Sequence, residues 1–93
     1  MSNYPDNNAL LNSFRLSEAH DKPIHCNYWT DSQNEKVYIG KTQNNEKIIY
    51  VDEEEYTSPI EKLYKIDNAY IIMTGNSIYI VNTAIQIKSV NIY

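Results

Sequence analysis

Two short segments of the chain hold residue types that could carry chemistry. The first contains potential metal ligands and a nucleophile within seven residues, namely His20, Asp21, His25 and Cys26. A structural zinc site usually needs four ligands in paired spacings such as C-x-x-C, and this chain has one cysteine and no histidine after His25. We therefore expect no metal site and no cofactor.

The same segment is also a weak candidate for catalysis. His25 and Cys26 are adjacent, and adjacent residues of a strand point to opposite faces, so His25 cannot directly activate Cys26 on a strand. We expect Cys26 to be a small core residue. The chain has only two glycines and no phosphate-binding loop, and no Ser/His/Asp signature is visible. The prediction is a non-enzymatic protein without catalytic residues.

The second segment is an acidic run flanked by tyrosines. The net charge is −4. Residues 31–55 hold seven acids and three lysines, while the rest of the chain balances five acids against five bases. Such a run is most often a solvated loop, but it could also imitate nucleic-acid phosphates and occupy a basic groove of a protein partner. The predicted binding residues are Tyr50, Asp52, Glu53, Glu54, Glu55 and Tyr56.

A different set of aromatic residues offers an alternative site. Tyr28, Trp29 and Tyr38 could stack on a small ligand or on bases of single-stranded nucleic acid. The competing interpretation of Tyr28 and Trp29 is that one ring packs under an N-terminal helix while the other is half exposed. General nucleic-acid binding and attachment to an anionic membrane are disfavoured, because the chain has a single arginine and scattered lysines.

The elements that must position these residues are read from periodicity and turn chemistry. Residues 7–19 are predicted to be a helix, since Leu10, Leu11 and Phe14 are spaced to share a face. Residues 24–29 could form a strand followed by a polar loop. Residues 36–41 and 47–52 indicate a hairpin with a five-residue connection. Residues 57–61 carry a helix-capping signature, but a strand leading into the next turn is slightly favoured.

The C-terminal half is predicted to be an antiparallel meander. Asp67-Asn68 and Gly75-Asn76 suit tight turns between strands at about 62–66, 69–74 and 77–82. The last two strands are apolar on both faces, so they are either covered on each side or expose a Tyr/Ile patch. A phase slip at Ser89 indicates a β-bulge in a strand over 85–93. The expected fold is mainly β, of the α+β class, a small antiparallel barrel or roll of SH3-like size with a short N-terminal helix.

Part of this region resembles a family pattern. Thr57-Ser58-Pro59-Ile60, followed by the residues 74–79 with sequence TGNSIY, resembles a T-S-P-[IV] … T-x-N-S-x-Y pattern of small uncharacterised proteins of phages and other mobile elements. The resemblance covers about a quarter of the chain. It implies a compact β unit and a viral or mobile-element origin, and it supplies no catalytic residues.

These observations lead to one preferred function and two alternatives. Residues 1–93 are expected to form a single cytoplasmic domain without a signal peptide or a transmembrane segment. The preferred function is a phage accessory protein that binds and inhibits a host protein in an anti-defence role. The alternatives are a small-ligand or single-stranded nucleic-acid binder, and a virion or assembly component that self-associates through exposed Tyr/Ile strand faces.

Overall fold

The computed structural model describes residues 4–92. The positions 1–3 and 93, which include the end of the predicted last strand, lie outside that range. Within it the chain forms two helices and eight strands: α1 (Asn7–His20), β1 (Ile24–His25), α2 (Trp29–Gln33), β2 (Tyr38–Lys41), β3 (Lys47–Asp52), β4 (Glu55–Tyr56), β5 (Ile60–Ile66), β6 (Ala69–Thr74), β7 (Ile78–Asn82) and β8 (Gln86–Ser89). The structure is therefore mainly β with a short N-terminal helix, as expected.

The strands form two four-stranded sheets, and no closed barrel is seen among residues 4–92. The first sheet has the order β1-β7-β6-β5, and the second has the order β4-β3-β2-β8. Each sheet is mixed, because β1 is parallel to β7 and β8 is parallel to β2. The expectation of uniformly antiparallel strands is wrong for these two pairs. After β7 the chain turns at Asn82, whose side-chain oxygen accepts the N–H of Ala84 at 2.8 Å, and crosses to the second sheet.

The first sheet is the central layer of the molecule. Ile71 and Met73 of β6 pack with Leu16 of α1, while Ile72 packs with Ile39 and Ile49 of the second sheet. Alternation along the strand thus buries both faces of β6. This resolves the two possibilities left by the sequence: β6 and β7 are covered on each side and expose no Tyr/Ile patch.

The N-terminal helix ends at a left-handed residue before Pro23. Asp21 has φ of 52° and donates its N–H to Ser17 O. The buried face differs from the predicted one, because Phe14 is 58% exposed while Ala9 and Ser13 are fully buried. Small side chains let the helix approach the sheet closely, and Ser13 Oγ donates to Ala9 O at 2.8 Å, so the buried hydroxyl is satisfied.

The segment after α1 departs most from the sequence prediction. The strand predicted over residues 24–29 is limited to β1, and the predicted polar loop contains α2. A helical turn places Trp29 and Ser32 on the same side. Trp29 then packs against Ala9, Ala69 and Ile80, and Ser32 Oγ accepts the N–H of Asn82 at 2.9 Å. Contacts of these two side chains with residues distant in the sequence therefore decide the local conformation.

The predicted turns lie at the expected places, but one uses different chemistry. Asp67 has φ of 53° in the two-residue connection between β5 and β6. Gly75 does not have a positive φ. The turn between β6 and β7 is instead held by Thr74 Oγ1, which accepts the N–H groups of Asn76 and Ser77. The contested segment before Asp67 is strand from Ile60 onward.

The predicted β-bulge at Ser89 is wrong, since β8 simply ends there. The register shifts lie instead between Tyr50 and Asp52 and between Ile60 and Lys62. Beyond Ser89 the chain stays beside β2, and Val90 donates its N–H to Lys41 O at 3.0 Å. Val90 packs over Gly40, where an added Cβ would lie 3.0 Å from a Val90 methyl and 3.0 Å from Tyr50 Cβ. Val90 therefore covers Gly40 on the face of the second sheet that carries Tyr50.

Candidate protein-binding surface

The acidic run forms the turn between β3 and β4. Asp52 Oδ1 accepts the N–H of Glu54 and the N–H of Glu55, each at 2.8 Å. This side-chain turn fixes the backbone and leaves all four acidic residues exposed. We call residues 52–55 the acidic turn. Its charge is presented from a defined conformation at one edge of the second sheet.

Three tyrosines lie in register beside the acidic turn. Tyr38 on β2 is directly opposite Tyr50 on β3, and Tyr50 is directly opposite Tyr56 on β4. Ile39 and Ile49 of the same strands pack toward the first sheet, so alternation places the tyrosines on the other, outer face. We call Tyr38, Tyr50 and Tyr56 the tyrosine row. Tyr56 is 41% exposed, and the other two are half-buried.

One end of the tyrosine row already holds a cation. Lys88 Nζ lies 4.9 Å from the centre of the Tyr38 ring, within the range of a cation–π contact. The Tyr38 hydroxyl donates to Glu35 O at 2.6 Å, which fixes the ring. The outer face of this sheet can therefore accept a positive charge on a tyrosine ring.

A stack of rings ties the acidic turn to the first sheet. The ring centres of His25 and Tyr79 are 5.1 Å apart, and those of Tyr79 and Tyr28 are 5.9 Å apart. The Tyr28 hydroxyl then donates to Glu55 Oε2 at 2.7 Å. Burial, followed by this hydrogen bond to a carboxylate, raises the pKa of Tyr28 well above its ordinary value.

The alternative aromatic set is not assembled as one site. Trp29 is only 3% exposed and lies in the core, so it presents no ring face for stacking on a base. Tyr28 belongs to the ring stack and Tyr38 to the tyrosine row. The competing interpretation holds instead: Trp29 packs against Ala9 of α1 and Tyr28 is half-buried.

The cluster of potential metal ligands is also dispersed. Among residues 4–92, no group of three or more His, Cys, Asp or Glu residues could hold a metal ion. Cys26 is exposed rather than in the core, because β1 ends at His25 and the strand alternation stops there. Desolvation nevertheless raises the pKa of the Cys26 thiol, which disfavours a reactive thiolate. His25 Nε2 lies 3.2 Å from Ser77 Oγ.

The sequence identified most of this surface but not its connections. Tyr38 joins Tyr50 and Tyr56 because of the predicted hairpin, so strand register could have placed it there. The link from Tyr28 to Glu55 spans 27 positions, and no local pattern indicates it. No family model, curated protein or solved structure matches the chain. In the described part, no helix has the length and apolar character needed to cross a membrane.

Proposed function

We propose that the chain is a non-enzymatic binding protein whose acidic turn and tyrosine row engage a basic surface of a protein partner. In the fuller form of this proposal, it is a phage accessory protein that inhibits a host factor in an anti-defence role. The phage origin rests on the resemblance at residues 57–79. The partner-binding role rests on the register of Tyr38, Tyr50 and Tyr56 beside a turn fixed by Asp52.

The chemistry of this surface suits arginine in particular. A guanidinium can bond a carboxylate through two parallel N–H groups and can also stack on a tyrosine ring. The acidic turn supplies the exposed carboxylates of Glu53 and Glu54. The tyrosine row supplies aromatic faces, of which Tyr56 and Tyr50 lie two to four residues from these carboxylates along the chain. The ammonium of Lys88 over the Tyr38 ring shows a cation–π contact of this kind within the chain itself.

The surface is also preorganised, which favours binding. Asp52 holds the turn backbone, and Tyr28 holds the side chain of Glu55. Binding of a partner then costs less conformational entropy than it would if the acidic turn were a free loop that had to be ordered. Exposed carboxylates also raise the association rate of a basic partner through long-range attraction, which salt weakens.

The competing functions have less support. Trp29 is buried, and the four exposed carboxylates of the acidic turn repel nucleic-acid phosphates. Self-assembly through Tyr/Ile faces of β6 and β7 would need an exposed face on these strands, and both of their faces are covered. The inhibitor proposal therefore remains the preferred one.

Affinity capture from the native host with two charge-matched variants tests the proposal. The E53K/E54K variant changes the binding surface, while E18K/E46K changes the charge equally at exposed sites elsewhere. Glu55 is left intact because its carboxylate accepts the Tyr28 bond. We expect E53K/E54K to lose a protein that the wild type and E18K/E46K both retain. Equal loss in both variants would indicate a nonspecific effect of net charge and would contradict the proposal.

A further inference from the structure

A second concave site lies between the two sheets, away from the tyrosine row. It has a volume of about 230 Å³ and is lined by Ile39, Lys47, Leu63, Tyr70, Ile85 and Ile87. Ile39 and Ile85 belong to the core between the sheets, so the cavity is an opening in that core. Two large apolar side chains at the opening are unusually exposed, Leu63 at 41% and Ile87 at 67%.

The polar groups of this cavity are few and of one kind. Lys47 is its single charged lining residue, and its ammonium makes no ion pair with any residue in the range 4–92. The Tyr70 hydroxyl likewise has no hydrogen-bond partner within those residues. An ammonium always donates, and a phenol can donate. The cavity therefore combines an apolar wall with two available hydrogen-bond donors, one of them cationic.

We infer that this cavity is a binding site for a small amphipathic carboxylate, of the size of a medium-chain fatty acid. The alkyl chain would lie against Ile39, Ile85 and the two exposed side chains Leu63 and Ile87. The carboxylate would pair with Lys47 and accept a hydrogen bond from Tyr70. Drug-sized ligands occupy pockets of about 300–1,000 Å³, so a cavity of about 230 Å³ selects a smaller molecule.

Charge decides between this ligand and other apolar occupants. A neutral alcohol of the same length would gain the apolar contacts but not the ion pair. An alkylammonium would place a second cation beside Lys47, which is unfavourable. Another cavity, of about 400 Å³, is lined by one aliphatic side chain, Val90, among polar residues such as Thr42 and Gln43, so it offers an alkyl chain fewer aliphatic contacts.

The test is a titration of the isotope-labelled full chain with octanoate, octanol and octylammonium, followed by amide NMR shifts. Octanoate is expected to shift residues of the cavity, and octanol to bind at least several-fold more weakly. K47Q should weaken octanoate binding about tenfold and leave octanol binding unchanged. K36Q is the matched control, since Lys36 is exposed, does not line the cavity and lies at the end of the β2–β3 hairpin opposite to Lys47.

Several results would overturn the inference. They are an absence of shifts at the cavity with millimolar octanoate, equal binding of octylammonium, and equal weakening by K47Q and K36Q. Concentration-dependent association in sedimentation, abolished by I87S, would show that a second copy of the chain covers the opening instead. The inference is independent of the proposed partner-binding function, because the cavity shares no lining residue with the acidic turn or the tyrosine row. E53K/E54K should therefore leave octanoate binding unchanged.

Discussion

The hydroxyl of Tyr28 donates a 2.7 Å hydrogen bond to Glu55, and this bond joins the connection after β1 to the acidic turn. Tyr28 itself stacks on Tyr79 of the first sheet. The edge of the second sheet is thus held by side chains anchored in the other sheet. The exposed carboxylates beside it are presented by a supported turn.

Replacing Tyr28 by phenylalanine is expected to loosen the acidic turn without unfolding the protein. The variant keeps the ring stack but loses the bond to Glu55, which should cost about 1 kcal/mol in the free energy of unfolding. Chemical denaturation measures that loss, and hydrogen exchange locates it. We expect faster exchange at residues 52–56 and unchanged exchange in β6. Unchanged exchange in the turn would show that the bond does not support it.

The same residue gives a pH dependence with a definite sign. The pKa of Tyr28 is raised in the folded protein, so the folded state holds the phenolic proton more tightly than the unfolded state. The stabilisation linked to this proton is fully present below the ordinary tyrosine pKa of about 10 and decreases as the pH rises above it. Wild-type stability should fall more steeply above pH 10 than that of Y28F. Parallel curves for the two proteins would contradict the assignment.

Replacing Asp52 should separate the role of the turn from the role of its charge. D52A removes the acceptor of two backbone N–H groups and should lower stability by about 1–2 kcal/mol. D52N retains an acceptor oxygen and removes the charge, so it should recover most of that stability. Thermal unfolding of the two variants at the same pH makes the comparison. Equal destabilisation would mean that the charge, and not the turn, matters.

The two glycines should respond oppositely to alanine. At Gly40 a Cβ would lie 3.0 Å from both Tyr50 and Val90, so G40A should cost about 1–3 kcal/mol in stability. At Gly75 the nearest atom to a Cβ is Glu61 Oε2 at 3.5 Å, and φ is not positive. G75A should therefore be neutral or stabilise the protein by up to about 1 kcal/mol. Denaturant midpoints of both variants provide the test.

Sequence patterns predicted those helices and turns that neighbouring residues determine. The helix spacing indicated α1 but not its buried face, which contains Ala9 and Ser13, and the turn residue Asp67 indicated the β5–β6 hairpin. The parallel pairing of β8 with β2 depends on contacts between distant segments, so alternation along β8 could not reveal it. The same holds for α2, where burial of Trp29 overrides the β propensity of its neighbours. The proposed binding residues were visible as charge and tyrosines, but the shared face of the tyrosines depends on the register of three strands.

The central proposal is tested most directly by titrating the protein with a decamer of arginine and a decamer of lysine at matched ionic strength. If the acidic turn and the tyrosine row act together, the arginine peptide should bind about tenfold more tightly. Y50S should abolish that preference, and E53K/E54K should weaken the binding of both peptides, whereas E18K/E46K should weaken neither beyond a small effect of net charge. Equal affinity for the two peptides, or equal loss in both charge variants, would contradict it.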